Sequence, residues 1–159
     1  MTSRLRPLER ADAARLAALI TGYRAAMGAG ASATSEPEAR RLIASAEADA
    51  NILMIGAEAG AGLAGFALAF DLAEIVSGGR AGQLDDLFVA PEARGAGLAR
   101  ALIARLTEVG AVRGWTHLRW LVPRDNTAAR RLYETLAEPA PWDSFRITLA
   151  EPPQSRSIL

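Results

Sequence analysis

Three groups of residues have the types and spacing that chemistry needs. The first is a glycine-rich turn, Arg94-Gly95-Ala96-Gly97-Leu98-Ala99-Arg100, which leads from an apolar run into an amphipathic helix. Gly95 and Gly97 permit positive φ and a close approach of ligand to backbone. The amides of Gly95, Ala96, Gly97, Leu98 and Ala99 can converge at a helix start, where the positive end of the helix dipole favours phosphate. Arg94 and Arg100 add charge at the rim. The second group is the carboxylate pair Asp85-Asp86, just before the turn. The third is Tyr133, whose phenol, with an ordinary pKa near 10, is a proton donor at neutral pH.

What is missing narrows the chemistry. The chain has no cysteine, one histidine (His117), and 18 basic residues that are all arginine. A thiol nucleophile, a Schiff-base lysine, a Walker-type lysine and a multi-histidine metal site are therefore excluded. Glycine is absent at position 100, so RGAGLA is not a dinucleotide fingerprint. Gly60, Gly62 and Gly65 do match GxGxxG, but GFALAFDL behind them reads as a strand in a hairpin, with no helix start. Formal net charge is zero and the basic residues are dispersed, which argues against nucleic-acid binding. No apolar run reaches the length of a membrane span, and MTSRLRPLERAD lacks the apolar core of a signal peptide. A cytosolic protein without a membrane partner is expected.

The 159 residues suit one domain. We expect that domain over 1–150, with EPPQSRSIL (151–159) a frayed tail. The elements that must carry the site follow from periodicity and caps. Ser3–Leu8 reads as a strand. Asp12 caps a helix to about Met27, with Ala14, Leu16, Leu19, Ile20 and Tyr23 along its apolar stripe. Ser35 caps a second helix, with Pro37 in its first turn, to about Ala48. Asn51–Glu58 and Leu63–Leu72 form a hairpin, and Gln83–Val89 is a strand. Gly97 to about Arg113 is a helix through Leu98, Leu102, Leu106 and Val109. Thr116–Val122 is a strand. Asp125 or Asn126 caps a last helix to about Leu136, and Trp142–Leu149 closes the sheet. This order implies an α+β fold, a largely antiparallel sheet with one parallel pair beside a crossover helix.

On a regular strand, Asp85 shares a face with Leu87 and Val89, and Asp86 shares the other with Leu84 and Phe88. Only one carboxylate can then face a reacting centre unless a bulge intervenes.

Arg94, Gly97 and Ala99 fit the Q/R-x-x-G-x-G/A signature of the GCN5-related N-acetyltransferases. LDDLFVAPEARG resembles the strand that precedes that signature, and VPRDNTAARRLYETL resembles the family's asparagine-to-tyrosine segment. The resemblance covers roughly residues 50–148. GFALAF followed by LDDLFV is most similar to the diamine and polyamine acetyltransferases.

This resemblance implies the family's α+β fold with a splayed parallel strand pair, acetyl-coenzyme A as donor, and an amine as acceptor. It implies a pyrophosphate on the RGAGLA amides and a pantetheine against the strand at Leu87, Phe88 and Val89. Asn126 and Arg130 would contact the cofactor from the last helix. Tyr133 would stand near the thioester sulfur as general acid, and Asp85 would act as base or ammonium ligand. A homodimer is a family-level expectation.

The acceptor remains open between a small-molecule amine and a protein amine, and a non-catalytic acyl-CoA-binding module is a third reading. Asp71 and Glu74 are candidates for attracting a cationic amine. The segments Gly28–Thr34 and Ala73–Gly82 are candidates for a roof over the acceptor. The family's glycine after Tyr133 is absent, so an altered final hairpin is expected.

Overall fold

The computed structural model describes residues 4–29, 32–60 and 62–149. The 151–159 tail lies outside them. The elements are β1 (Arg4–Pro7), α1 (Ala13–Ala26), α2 (Glu36–Ala48), β2 (Ile52–Ala59), β3 (Gly62–Glu74), β4 (Gly79–Val89), α3 (Leu98–Arg113), β5 (Trp115–Trp120) and α4 (Thr127–Tyr133). One five-stranded sheet has the order β1-β2-β3-β4-β5. Its first three pairings are antiparallel. The β4–β5 pairing is parallel, with α3 as the crossover. Gly60, Gly62 and Gly65 belong to the β2–β3 hairpin, as expected.

Two cores cover the two faces. Leu16, Leu19 and Ile20 of α1 and Ala39 and Ile43 of α2 pack with Met54, Leu63, Phe66 and Phe88. Leu98, Leu102, Ile103 and Leu106 of α3 pack on the other face with Ile55, Ala67, Leu84 and Val89. Ala14, expected on the α1 stripe, is exposed, and Ala13 and Ala17 are buried in its place.

Local sequence explains most boundaries. Ser35 accepts from the Glu38 amide, and Glu38 returns a bond to the Ser35 amide, a capping box that starts α2. Asp12 does not cap α1. Its carboxylate accepts instead from the Glu9 amide and from Arg6, at 2.7–2.8 Å, closing a short 3-10 turn ahead of the helix. Charge pairing with Arg6 outweighs a cap bond here. Trp115, at the start of β5, fits only because two glycines leave room. A Cβ on Gly82 would come within 2.2 Å of the ring, and one on Gly110 within 2.5 Å.

Further expectations fail. Trp142–Leu149 forms no strand; it runs irregularly, with Trp142, Phe145, Ile147 and Leu149 exposed. The alternation is right for a strand, but no described segment pairs with it. Asp71 is not free to attract an amine. Its side chain is 5% exposed and clamped by Arg80 at 2.7 Å and Arg113 at 3.1 Å. Glu74 is likewise used locally, accepting from the Val76 and Ser77 amides.

Candidate active site

The site begins where β4 and β5 part. Their ladder runs from Arg80–Trp115 to Leu84–Trp120 and stops. β5 ends at Trp120, whereas β4 continues to Val89, still paired with β3 as far as Gly65. A V-shaped gap therefore opens beside residues 85–89. The Ala90 amide donates to Ala64 of the β3 side at 2.8 Å. Backbone polarity alternates along an extended chain, so Val89 and Leu87 turn theirs the other way, into the gap. Phe88 is not brought there. Its backbone pairs with Phe66 and its ring packs under α1 against Tyr23 and Phe66.

A bulge decides the carboxylates. Ala69 pairs with Leu84 and Leu68 with Asp86, so Asp85 is an extra residue without a β3 partner. The insertion reverses the faces. Leu84 lies in the α3 core and Phe88 in the α1 core, although a regular strand would put both on one side. The grouping of Asp86 with both Leu84 and Phe88 is thus corrected.

Asp85 is exposed and Asp86 half-buried beside the Tyr23 hydroxyl. Burial raises the Asp86 pKa above the ordinary carboxylate range, and the Asp85 charge raises it further, against the lowering effect of the Tyr23 hydroxyl. Tyr23 is itself pushed up by burial, and it also feels Asp86, Asp85 and Tyr133. The four groups thus share one electrostatic neighbourhood beside the gap. Tyr23 belongs by periodicity to the α1 stripe, and nothing in the sequence gives Asp86 a role of its own. Only the acidic doublet hinted at the latter.

Tyr133 stands on the opposite flank. Its ring meets Trp120 edge-on, with centroids 5.3 Å apart. Burial raises its pKa and keeps the phenol protonated. Asn126 caps α4, its side chain accepting from the Ala129 amide at 3.1 Å. The amide nitrogen of that side chain is left available to a ligand. Arg130 sits on α4 within 3.9 Å of Glu134.

At the head of β4 the chain makes a 3-10 turn, Pro91–Ala93, and then the glycine turn. Gly95 and Gly97 both have φ +79°, and Gly97 is the N-cap of α3, with no side chain bonded to the helix start. Among the described residues no acceptor is bonded to the amides of Gly95, Ala96, Gly97, Leu98 or Ala99. A Cβ on Gly95 or Gly97 would meet nothing within 4 Å, so the space over the turn is open. Arg94 folds back, its Nε donating to the Val89 carbonyl at 3.3 Å and its guanidinium 5.8 Å from the Phe88 ring. Arg100 reaches Thr135 Oγ1 at 2.8 Å, tying the start of α3 to the end of α4. A cradle of unpaired amides thus leads into a gap lined by strand backbone, a phenol and two carboxylates.

The chain matches the acetyltransferase (GNAT) family over residues 17–137. It belongs to that family. As a GNAT protein it is an acetyl-CoA-dependent N-acetyltransferase, a transferase of the acyl class. It is similar at 32% identity and TM-score 0.79 to a ribosomal-protein-alanine N-acetyltransferase from Brucella melitensis biovar Abortus 2308, over 94% of this chain and 100% of that one. An aminoglycoside acetyltransferase from an uncultured soil metagenomic sample shares the fold at TM-score 0.75 and 22% identity, over 94% of this chain and 100% of that one. An acetyltransferase from Trypanosoma brucei does so at TM-score 0.75 and 24% identity, over 93% and 100%. No curated protein sequence matches. Among the described residues, no helix is long and apolar enough to cross a membrane.

The expected roof segments fare unequally. Within Ala73–Gly82, residues 73–74 end β3 and residues 79–82 begin β4, paired with the β3 end, so only residues 75–78 form a loop. Six residues of strand, Gly79 to Asp85, put that loop about 20 Å from the gap, too far to cover an acceptor. In Gly28–Thr34, residues 30 and 31 lie outside the described ones; Thr34 donates its amide to Thr21 Oγ1 at 2.9 Å. His117 is exposed and bonded to the neighbouring Thr116 hydroxyl, away from the gap.

Proposed function

We propose that the acceptor is the primary amine of a small cationic molecule of the diamine or polyamine type, acetylated by direct attack within a ternary complex. The observation that carries this reading is the bulge, which presents two adjacent carboxylates at the mouth of the gap in different environments. A diamine has two nitrogens, and two carboxylates suit it: one to hold the distal ammonium, one to take a proton from the nitrogen that reacts. The 32% identity to a ribosomal-protein-alanine N-acetyltransferase favours a second reading, a peptide N-terminus with a single amine.

The residues present fit acetyl-CoA. Amides 95–99 would hold the diphosphate, with Arg94 and Arg100 beside it and Asn126 and Arg130 approaching from α4. Leu87 and Val89 offer backbone groups to the pantetheine arm, and the Leu87 N–H can donate to the thioester carbonyl. Acetyl-CoA supplies the activated acetyl group. The chain supplies the proton handling. Asp85, exposed, attracts the ammonium. Asp86, with its raised pKa, accepts the amine's proton closer to neutral pH than an ordinary aspartate could. Tyr133 delivers its phenolic proton to the departing sulfur. With neither cysteine nor lysine, the chain offers no thiol or amine to carry the acetyl group covalently.

A thiol-release assay against diamines, aminoglycosides and alanine-initiated peptides tests the acceptor. Diamines are expected to give the highest kcat/KM. A clear preference for the peptides would transfer the assignment to the second reading.

The base is tested by pH. Burial favours neutral Asp86, so its proton leaves at higher pH than the ordinary 3.8. Activity should therefore fall on acidification sooner than an exposed aspartate would dictate. Asp86→Asn should lower kcat by about 100-fold and remove that acidic limb. Its stability should not fall. The cost of burying charge is absent below the unfolded-state pKa, where the group is neutral in both states, and is present in full above the folded-state pKa. Asparagine avoids it. An unchanged acidic limb in the variant would discard Asp86 as the base.

A further inference from the structure

α1 brings one titratable side chain, Tyr23, down onto the sheet. Gly22 beside it lets the helix lie close: a Cβ there would stand 3.2 Å from the tip of the Phe88 ring. The Tyr23 ring is caught between two others. It meets Phe66 edge-on with centroids 6.1 Å apart, and Phe88 at 5.8 Å with the planes tilted by 47°. Phe66 and Phe88 are partners across β3 and β4, and the next pair on the same face is Leu68 and Asp86. Two residues of strand, about 7 Å, separate the pairs. A phenol seated over the first pair carries its oxygen towards the second, where the Asp86 carboxylate accepts from it.

The bulge makes this meeting possible. Asp85 takes the unpaired place, so Asp86 falls on the face of Leu68 and Phe88, which pack in the core that holds Tyr23. Of the groups that act on Asp86, α1 supplies Tyr23 and β4 supplies Asp85, while β3 places uncharged Leu68 opposite. Burial and the Asp85 charge both favour the neutral carboxyl, and the Tyr23 hydroxyl favours the ion. Burial keeps the phenol itself in its neutral, donating form, and Tyr133 of α4 acts on it in the same direction.

We propose that Tyr23 is a positioning residue for the base: its hydroxyl donates to one oxygen of Asp86, sets the plane of the carboxylate, and leaves the other oxygen to the incoming amine. This rests on the reading of Asp86 as the base, and it holds whichever amine is the acceptor. A proton acceptor works only when a lone pair points at the proton it takes. An ionised carboxylate has two oxygens with room for several donors, so a fixed phenol on one does not block the other. The same bond has a second effect. It keeps the carboxylate charged at a pH where burial would otherwise neutralise it. Tyr23 acts through Asp86, and the acetyl group lies beyond it.

Tyr23→Phe is the test, because it deletes one oxygen and keeps the ring between Phe66 and Phe88. In protein labelled with carboxyl-13C aspartate, Asp86 should titrate at higher pH in the variant than in the wild type. The acidic limb of kcat should move the same way. On that limb the variant should be slower by about tenfold or more, with KM for the amine within about threefold. In the Asp86→Asn background, Tyr23→Phe should cost no further activity, because a group that works through the carboxylate has nothing left to hold. An Asp86 titration left in place by Tyr23→Phe overturns the proposal and leaves Asp86 standing as the base. A moved titration with an unmoved acidic limb overturns it together with the reading of Asp86 as base. A further loss of more than about threefold in the double variant gives Tyr23 a role apart from Asp86, and overturns it as well.

Discussion

Gly97→Asp is expected to weaken acetyl-CoA binding by at least about 100-fold while leaving the fold intact. Each charge-assisted bond from an amide to phosphate contributes about 1.5–3 kcal/mol, and a fixed negative charge among the donors opposes all of them together. The space above Gly97 is open, so the new side chain collides with nothing in the protein itself. Its φ of +79° is a left-handed position. Aspartate tolerates that region better than most residues, at a cost of about 1–2 kcal/mol. Isothermal titration measures the affinity, and circular dichroism with a melting curve verifies that α3 persists. Affinity within a few-fold of wild type would mean the turn does not hold the diphosphate.

Tyr133→Phe should reduce kcat by about 100-fold to 10,000-fold, with the dissociation constant for acetyl-CoA nearly unchanged. The substitution removes one oxygen and keeps the ring that packs against Trp120. Burial raises the pKa of the wild-type phenol, which is therefore protonated throughout the neutral range. The variant's loss should therefore be uniform across neutral pH, unlike that of Asp86→Asn, which reshapes the acidic side of the profile. A variant that turns over at the wild-type rate would remove Tyr133 from the chemistry.

The glycine turn and the α4 start could be read directly, because each rests on a local requirement. Gly95 and Gly97 occupy backbone conformations that other residues adopt at a cost, and Asn126 supplies a cap bond three residues ahead. The splayed strands were expected from resemblance, and the geometry bears them out through a ladder that stops at Leu84 and Trp120. What escaped depends on contacts distant in sequence. Counting by twos along Gln83–Val89 cannot reveal that Asp85 is an insertion, because the bulge exists only relative to β3. Asp71 looked available until Arg113, 42 residues away, closed on it. Tyr23 looked like a core residue of α1, and in part is one, but its hydroxyl gains meaning only from Asp86 on another element. The arm at Trp142–Leu149 has strand periodicity, yet periodicity does not provide a ladder.

The proposed acetyl-CoA site rests on five main-chain amides at the head of α3 acting as the anion cradle. Amide-resolved NMR during titration with acetyl-CoA, and separately with inorganic pyrophosphate, observes them one by one. The resonances of Gly95, Ala96, Gly97, Leu98 and Ala99 should shift in both titrations, with those of Leu87 and Val89 moving only when the acetyl-CoA arm is present. Binding that leaves the five turn resonances in place while shifting others would contradict it.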